Sequence, residues 1–257
     1  MRVTWWGHST VAIEDRGVRL LTDPVLRGRL GHLRRRRGVT PSLEAVAPDA
    51  VLVSHLHADH LDLVSLRRLD GDTRLLVPRG TCAFLRRNDP GLARRCEELV
   101  PGDEVTVGEV RVRAVPANHD SSRGPWSRHR APALGYTVHG SRNAWFAGDT
   151  DLFDEMAKLG PLDVALVPVG GWGPNLGAGH LDPAAAAEAI RRSTPDWAVP
   201  IHFGTFWPIG MERVRPHRFH QPGDEFARLL AGTAPLTQAR VLHPGESFTI
   251  DRTEPPA

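Results

Sequence analysis

Apolar positions along the chain come in short runs of two kinds. Val3–Trp6, Thr10–Glu14 and Val18–Thr22 are strand-like runs broken by Gly7-His8 and by Asp15-Arg16-Gly17, the pattern of an antiparallel meander. EVTVGEVRVRAVP (Glu104–Pro116) alternates strictly on both sides of Gly108-Glu109, which predicts a hairpin with one solvated face. DAVLVS (Asp49–Ser54), DVALVPV (Asp163–Val169) and DWAVPIH (Asp196–His202) are apolar without alternation, as expected of buried strands, and RLLVP (Arg74–Pro78) is strand-like. ALGYTVHG and NAWFAGDT read as further strands. Helices are predicted over Asp62–Leu69, near Thr81–Arg87, from DPAAAAEAIRR onward and about Asp224–Leu230. The third opens with Asp182 placed to cap and Pro183 in the first turn. A terminal strand pair around ARVLH and SFTI, then a frayed EPPA tail, is expected to close the chain.

Strands followed by helices occur twice, with no solenoid-period repeat and no low-complexity linker. The expectation is a single α/β domain over residues 1–257, built of two mixed β/α halves packed sheet against sheet with helices outside. Such packing brings both sets of strand ends to one edge. The segment LRGRLGHLRRRRGVTPS reads as a loop, with Arg34–Arg37 most simply a solvated face.

Composition narrows the picture. Lys+Arg number 32 against 30 Asp+Glu, a net charge of +2, so a general nucleic-acid binder is not indicated. Lys158 is the one lysine, which carries no functional weight. Cys82 and Cys96 have neither metal-finger spacing nor the number for a disulfide scaffold, which fits a reducing cytoplasm. The N-terminus has no signal-peptide pattern, and no window reaches the roughly 20 apolar residues of a membrane span. The expected protein is soluble and cytoplasmic.

The chemistry concentrates where a buried run ends, in VLVSHLHADHLD (Val51–Asp62). If the strand direction continues, His55 and His57 point to one side while Leu56 points away. A turn after Ala58 would give Asp59 and His60 a second bearing. One histidine there would more simply be a satisfied core residue, and Asp59 or Asp62 a helix cap. Four such residues within six make accident the weaker account. Further strand ends offer His119 in AVPANHD, Asp149 in WFAGDT and His202 in AVPIHFGTF.

HLHADH, His119, Gly148-Asp149-Thr150 and His202, in this order and spacing, resemble the metallo-β-lactamase-fold hydrolases over essentially the whole chain. WWGHSTVAIE, LLTDPVL, WFAGDTDLF, GHLDPAAAAEAI and IHFGTF resemble the branch of ascorbate-6-phosphate lactonase and N-acylphosphatidylethanolamine phospholipase D. The resemblance implies a four-layer αβ/βα sandwich with metals at one edge. It implies that His55, His57 and His119 hold one metal, that Asp59, His60 and His202 hold the other, and that Asp149 bridges them. It also implies that His8, Asp23 and His180 stand near the metals. The long N-terminal extension of the phospholipase has no counterpart here, and the arginine-rich loop DSSRGPWSRHRAP need not match either relative, so substrate identity does not carry over.

Imidazole and carboxylate ligands suit two divalent ions, Zn²⁺ as the first expectation and Mn²⁺ or Fe as alternatives. A water bridging two such ions is acidified toward neutrality and becomes a hydroxide nucleophile. The expected activity is hydrolysis of a small anionic ester, a phosphodiester or phosphorylated lactone. Asp59 would orient the nucleophile, and His180 would serve as proton donor or oxyanion partner. Arg123 and Arg128 are candidate substrate contacts that, with Arg34–Arg37, would bring positive charge to the metal edge, although a solvated loop is the simpler reading. The alternative is a metal-binding protein of the same fold with a sensing, redox or structural role. Against it, His57 stands where the oxygen-reducing di-iron relatives carry a carboxylate. The sequence leaves oligomeric state open.

Overall fold

A computed structural model describes residues 1–120, 122–124 and 127–251. The chain opens with β1 (Arg2–Gly7), β2 (Thr10–Asp15) and β3 (Val18–Thr22), then a small hairpin, β4 (Arg29–Leu30) and β5 (Leu33–Arg35). α1 (Leu43–Val46), β6 (Ala50–Leu52), α2 (Leu63–Leu66), β7 (Arg74–Pro78), α3 (Thr81–Asn88), α4 (Pro90–Ala93) and β8 (Cys96–Leu99) follow. The second half holds β9 (Glu104–Val107), β10 (Val110–Pro116), β11 (Leu134–His139), β12 (Asn143–Phe146), β13 (Val164–Pro168), α5 (Pro183–Ser193), β14 (Trp197–Ile201) and β15 (Phe206–Pro208). α6 (His217–His220), α7 (Pro222–Thr233), β16 (Gln238–Ala239) and β17 (Glu246–Thr249) complete it.

Two seven-stranded mixed sheets result, ordered β17-β1-β2-β3-β6-β7-β8 and β16-β14-β13-β12-β11-β10-β9. Alternation along the strands shows how they stack. Leu20, Leu52 and Leu76 of the first sheet share one apolar cluster with Val112, Tyr136, Trp145 and Leu166 of the second. Their chain neighbours Leu21, Val51, Val53, Leu75 and Val77 face the other way, onto Leu66, Phe84, Leu85 and Leu92 of α2–α4. Ile190 of α5 and Phe226 of α7 belong to the cluster that includes the second sheet. The layers are therefore helix, sheet, sheet, helix, the metallo-β-lactamase fold. α5 begins as its sequence dictates: Asp182 accepts from Ala184 N at 3.1 Å and Ala185 N at 2.9 Å, a cap worth about 1 kcal/mol.

The site depends on strand direction. β1, β3 and β6 run one way, since β2 is antiparallel to both β1 and β3 and β6 is parallel to β3. β10, β12, β13 and β14 likewise share a direction. Their C-terminal ends deliver His8, Asp23, His55, His119, Asp149, Gly170 and His202 to one edge of the sandwich.

Four expectations are corrected. The predicted terminal pair is not a pair: β16 joins β14 in the second sheet and β17 joins β1 in the first, because His243-Pro244-Gly245 carries the chain between sheets. The Arg34–Arg37 run is not a loop throughout. Arg34 and Arg35 lie in β5, paired with β15, and strand alternation leaves Arg34 exposed while Arg35 stacks on Phe206, 4.9 Å from its ring. The helix expected over Asp62–Leu69 is α-helical only as far as Leu66, then winds on through Arg68 N→Ser65 O and Leu69 N→Leu66 O before Asp70-Gly71. Finally, Cys82 and Cys96 are disulfide-bonded, because the β7–β8 crossover brings the start of α3 beside the start of β8 with Cα atoms 5.9 Å apart. Cysteine usage therefore gives no support to a reducing compartment. The EPPA tail lies outside the described residues. Among those described, no helix is long and apolar enough to cross a membrane.

Candidate metal centre

The HLHADH segment leaves the sheet after Leu52 and turns, so the convergence of its histidines comes from a loop and not from strand alternation. His55 Nε2 lies 2.9 Å from His57 Nδ1, and His119 Nε2 lies 3.2 Å from the same Nδ1. These three form one focus. Around a second, His60 Nε2 sits 3.2 Å from His202 Nε2 and 3.6 Å from Asp59 Oδ2. Asp149 stands between the two, close enough to His55 and His60 to form one ligand group and to His119 and His180 to form another. Asp62, the rival for the helix-cap role, does cap α2 at Ser65 N and is clamped by Arg27, which leaves Asp59 to the site.

The outward nitrogens of His55, His60, His119 and His202 have acceptors. His119 Nδ1 donates to Gly179 O at 2.7 Å and His202 Nδ1 to Gly170 O at 2.9 Å. His60 Nδ1 donates to Asp23 Oδ2 at 2.6 Å. Ser54 Oγ gives its proton to Asp23 Oδ2 at 2.5 Å, so it accepts from His55 Nδ1 at 2.9 Å. The inward nitrogens of His55, His119 and His202 are thereby left as lone pairs, and that of His60 becomes one when the ring is neutral, all pointing at one another and at carboxylates. Asp149 Oδ1 makes the point sharply: buried, without a hydrogen bond, and 3.2 Å from the His202 lone pair. So many acceptors facing inward is costly unless cations sit among them. Two nitrogens on one tetrahedral ion at about 2.0–2.1 Å stand about 3.3 Å apart, close to the spacings here. The residues fit divalent metal.

Electrostatics agree. Burial pushes His55, His57 and His119 below the ordinary histidine pKa, and takes His202 to about 3, so these rings are neutral. Burial alone would raise Asp59 and Asp149, but the neighbouring His60 and His202 hold both well below the usual carboxylate range. Burial also opposes charge on His60, yet Asp149, Asp59 and Asp23 outweigh it and raise its pKa well above normal.

His8 is buried and its Nε2–H donates to Asp59 Oδ2, 2.8 Å away, while its backbone N–H donates to Thr205 Oγ1. Asp23 orients His60 and ties to Ser54 N. His180 Nε2 lies 3.3 Å from Asp149 Oδ2, with its Nδ1 near the carbonyls of Gly177 and Ala178. Burial disfavours its charge, but the Asp149 bond and charge prevail and raise its pKa. His8, Asp23 and His202 all adopt positive φ, at 54°, 35° and 61°, a strained conformation for residues with a Cβ that clusters at functional sites.

The arginines divide. Arg123 turns inward, its Nη1 donating to Leu56 O at 2.6 Å and Leu61 O at 2.9 Å, with its guanidinium 5.1 Å from the Phe84 ring. It brackets the loop that carries His57, Asp59 and His60 and does not present its charge to an incoming anion. Arg128 is exposed. Ser121, Pro125 and Trp126 of the same loop lie outside the described residues.

Sequence reasoning missed Ser54, although it immediately precedes HLHADH, and it missed the carbonyls of Gly170 and Gly179. A backbone acceptor leaves no trace in residue type.

Residues 18–203 match the model of the Lactamase_B_2 family, described as a beta-lactamase superfamily domain. A UPF0173 metal-dependent hydrolase from Methanopyrus kandleri is 32% identical over 96% of this chain and 99% of its own. The N-acyl-phosphatidylethanolamine-hydrolyzing phospholipase D 1 of Caenorhabditis elegans is 29% identical, over 88% of this chain and 69% of its own. Among solved structures, a metallo hydrolase from the archaeon Ignicoccus hospitalis superposes with a TM-score of 0.72 at 23% identity, covering 97% of this chain and 99% of that one. The chain belongs to the metallo-β-lactamase superfamily.

Proposed function

We propose that this protein is a metal-dependent hydrolase of a small anionic ester, a phosphodiester or phosphorylated lactone, working with two divalent ions, zinc first among them. The observation that carries the reading is the pair of His/Asp foci joined by Asp149, with the protonatable His180 beside the joint. His55, His57 and His119 would hold one ion, Asp59, His60 and His202 the other, and Asp149 both. Ions bound there would acidify a water and polarise the ester. Asp59, itself fixed by His8, accepts a hydrogen bond from the attacking water and orients it. His180, held in its cationic form by Asp149, gives a proton to the leaving oxygen. Asp23 and Ser54 keep the His55 and His60 rings in the tautomer that leaves their inner nitrogens free. Relatives named as a metal-dependent hydrolase and as a phospholipid-hydrolysing enzyme support the reaction class.

Elemental analysis of protein purified without added metal, with assays on phosphodiesters and phosphorylated lactones, tests this. About two ions per chain are expected, with Asp149→Ala lowering occupancy at both sites together. A stoichiometry near one that added metal does not change, or emptying of a single site in that variant, removes the dinuclear reading. Full metal content without turnover on any ester would favour the sensing or structural role.

A further inference from the structure

Four of the eight exposed large apolar side chains, Trp172, Ile209, Met211 and Val214, sit on two loops that touch. Trp172 packs edge-on against His32 at 5.2 Å, Ile209 N donates to His32 O at 3.0 Å, and Arg215 reaches Asn175 Oδ1 at 2.6 Å. The hairpin of β4 and β5, the loop 170–176 and the segment 208–218 thus form one continuous face. Residues 27–37, which contain the hairpin, together with 170–176 and 208–218, hold nine arginines and a single acidic residue, Glu212, in a chain whose net charge is only +2. Strand alternation turns Arg35 inward, and Arg37 stacks on Phe219, whereas Arg34, Arg213 and Arg218 are exposed and have no carboxylate partner among the described residues.

We propose that this face docks on an anionic phospholipid bilayer. Exposed apolar side chains interleaved with unpaired cations are what a membrane interface accepts: the aromatic and aliphatic groups enter the headgroup boundary while guanidinium groups stay with the phosphates. A partner protein of ordinary composition would leave that many like charges unmatched at the contact, and a second copy of the same face would oppose arginine to arginine. The face adjoins the site through the chain. Trp172 lies two residues beyond Gly170, whose carbonyl fixes His202, and Ile209 lies seven residues beyond His202 itself. Docking would therefore hold the His/Asp edge beside the membrane. The inference stands apart from the proposed reaction and does not need it.

Flotation with vesicles of phosphatidylcholine, with and without about 30 mol% phosphatidylglycerol, tests it on the full chain. Binding to the anionic vesicles alone is expected, weakened by salt. The exposed substitutions Ile209→Ser with Met211→Ser, and separately Arg34→Glu with Arg213→Glu, should each lower the partition roughly tenfold or more, with metal content and melting temperature unchanged. No binding to anionic vesicles, equal binding to pure phosphatidylcholine, or binding that survives either variant overturns the proposal. Light scattering on the same variants excludes the other occupant: a dimer abolished by the apolar pair would make the face an interface between copies. Retention on a polyanion that ignores Ile209 and Met211 would reassign it to charge alone.

Discussion

At the scale of single residues, His180 and Arg123 carry the most discriminating tests. His180 touches Asp149 and packs edge-on against His119, its ring centroid 4.6 Å away, but belongs to neither of the two three-residue foci. His180→Ala is expected to keep both ions and to lower kcat by about 10²–10⁴-fold, with the larger loss on substrates whose leaving group needs a proton. Loss of metal would make it a ligand, and an unchanged kcat would leave it a loop histidine bound to backbone. Arg123 acts from behind the site. Removing its guanidinium in Arg123→Met frees the carbonyls of Leu56 and Leu61 that flank Asp59 and His60. Metal affinity, measured by chelator competition, should fall about 10–100-fold, as for other residues that brace a metal ligand, with little change in KM. A rise in KM with full metal affinity would restore the substrate-binding role.

Among elements, the turn after β12 shows how a strand end becomes a ligand position. Gly148 has φ +63°, and a Cβ there would lie 2.7 Å from Ser54 Cβ and 2.9 Å from Leu134 O. Both the backbone conformation and the packing exclude a side chain, so Asp149 is placed by the absence of one at its neighbour. Gly148→Ala is expected to destabilise by about 2–4 kcal/mol in urea unfolding and to empty the site at metal concentrations that saturate the parent. Normal stability with normal metal content would mean that the turn relaxes freely. The strand ends were legible in the sequence because buried apolar runs stop abruptly at polar residues, and the α5 cap was legible because Asp-Pro acts locally. The mispaired β16 and β17 were not. Both are short, and nothing local tells a strand which of two sheets it will join.

For the molecule as a whole, the site couples metal binding to protons. The raised His60 pKa means that the metal-free protein carries a proton where a ligand lone pair is needed. That imidazolium stabilises the metal-free fold fully below the ordinary histidine pKa of about 6.5, and the contribution is lost as pH rises through the raised folded value. An ion competes with the same proton, so metal affinity should climb with pH over this window. Loading at neutral pH should release about one proton per chain, because Asp59 and Asp149 are already ionised and the other ligand histidines already neutral. Calorimetry in two buffers of different ionisation enthalpy measures this directly. Loading without proton release, at an affinity indifferent to pH, would contradict the charge assigned to His60.

The sequence by itself determined the local chemistry: which runs are buried, where they end, and that histidines and aspartates crowd those ends. His55, His57, Asp59, His60, His119, Asp149 and His202 could be picked out because each residue type is costly beside a buried strand without a partner. Tertiary structure decided everything that depends on direction and contact between distant segments. It sorted these side chains into two foci, supplied Gly170 and Gly179 carbonyls that fix tautomers, and turned Arg123 inward beneath the loop. It also joined Cys82 to Cys96, and split Arg34–Arg37 into inward and outward members. The physical reason is common to all of these. A residue's type fixes what it can bond, but which atom faces which partner is set only when two sheets pack and strands far apart in the chain end at one edge.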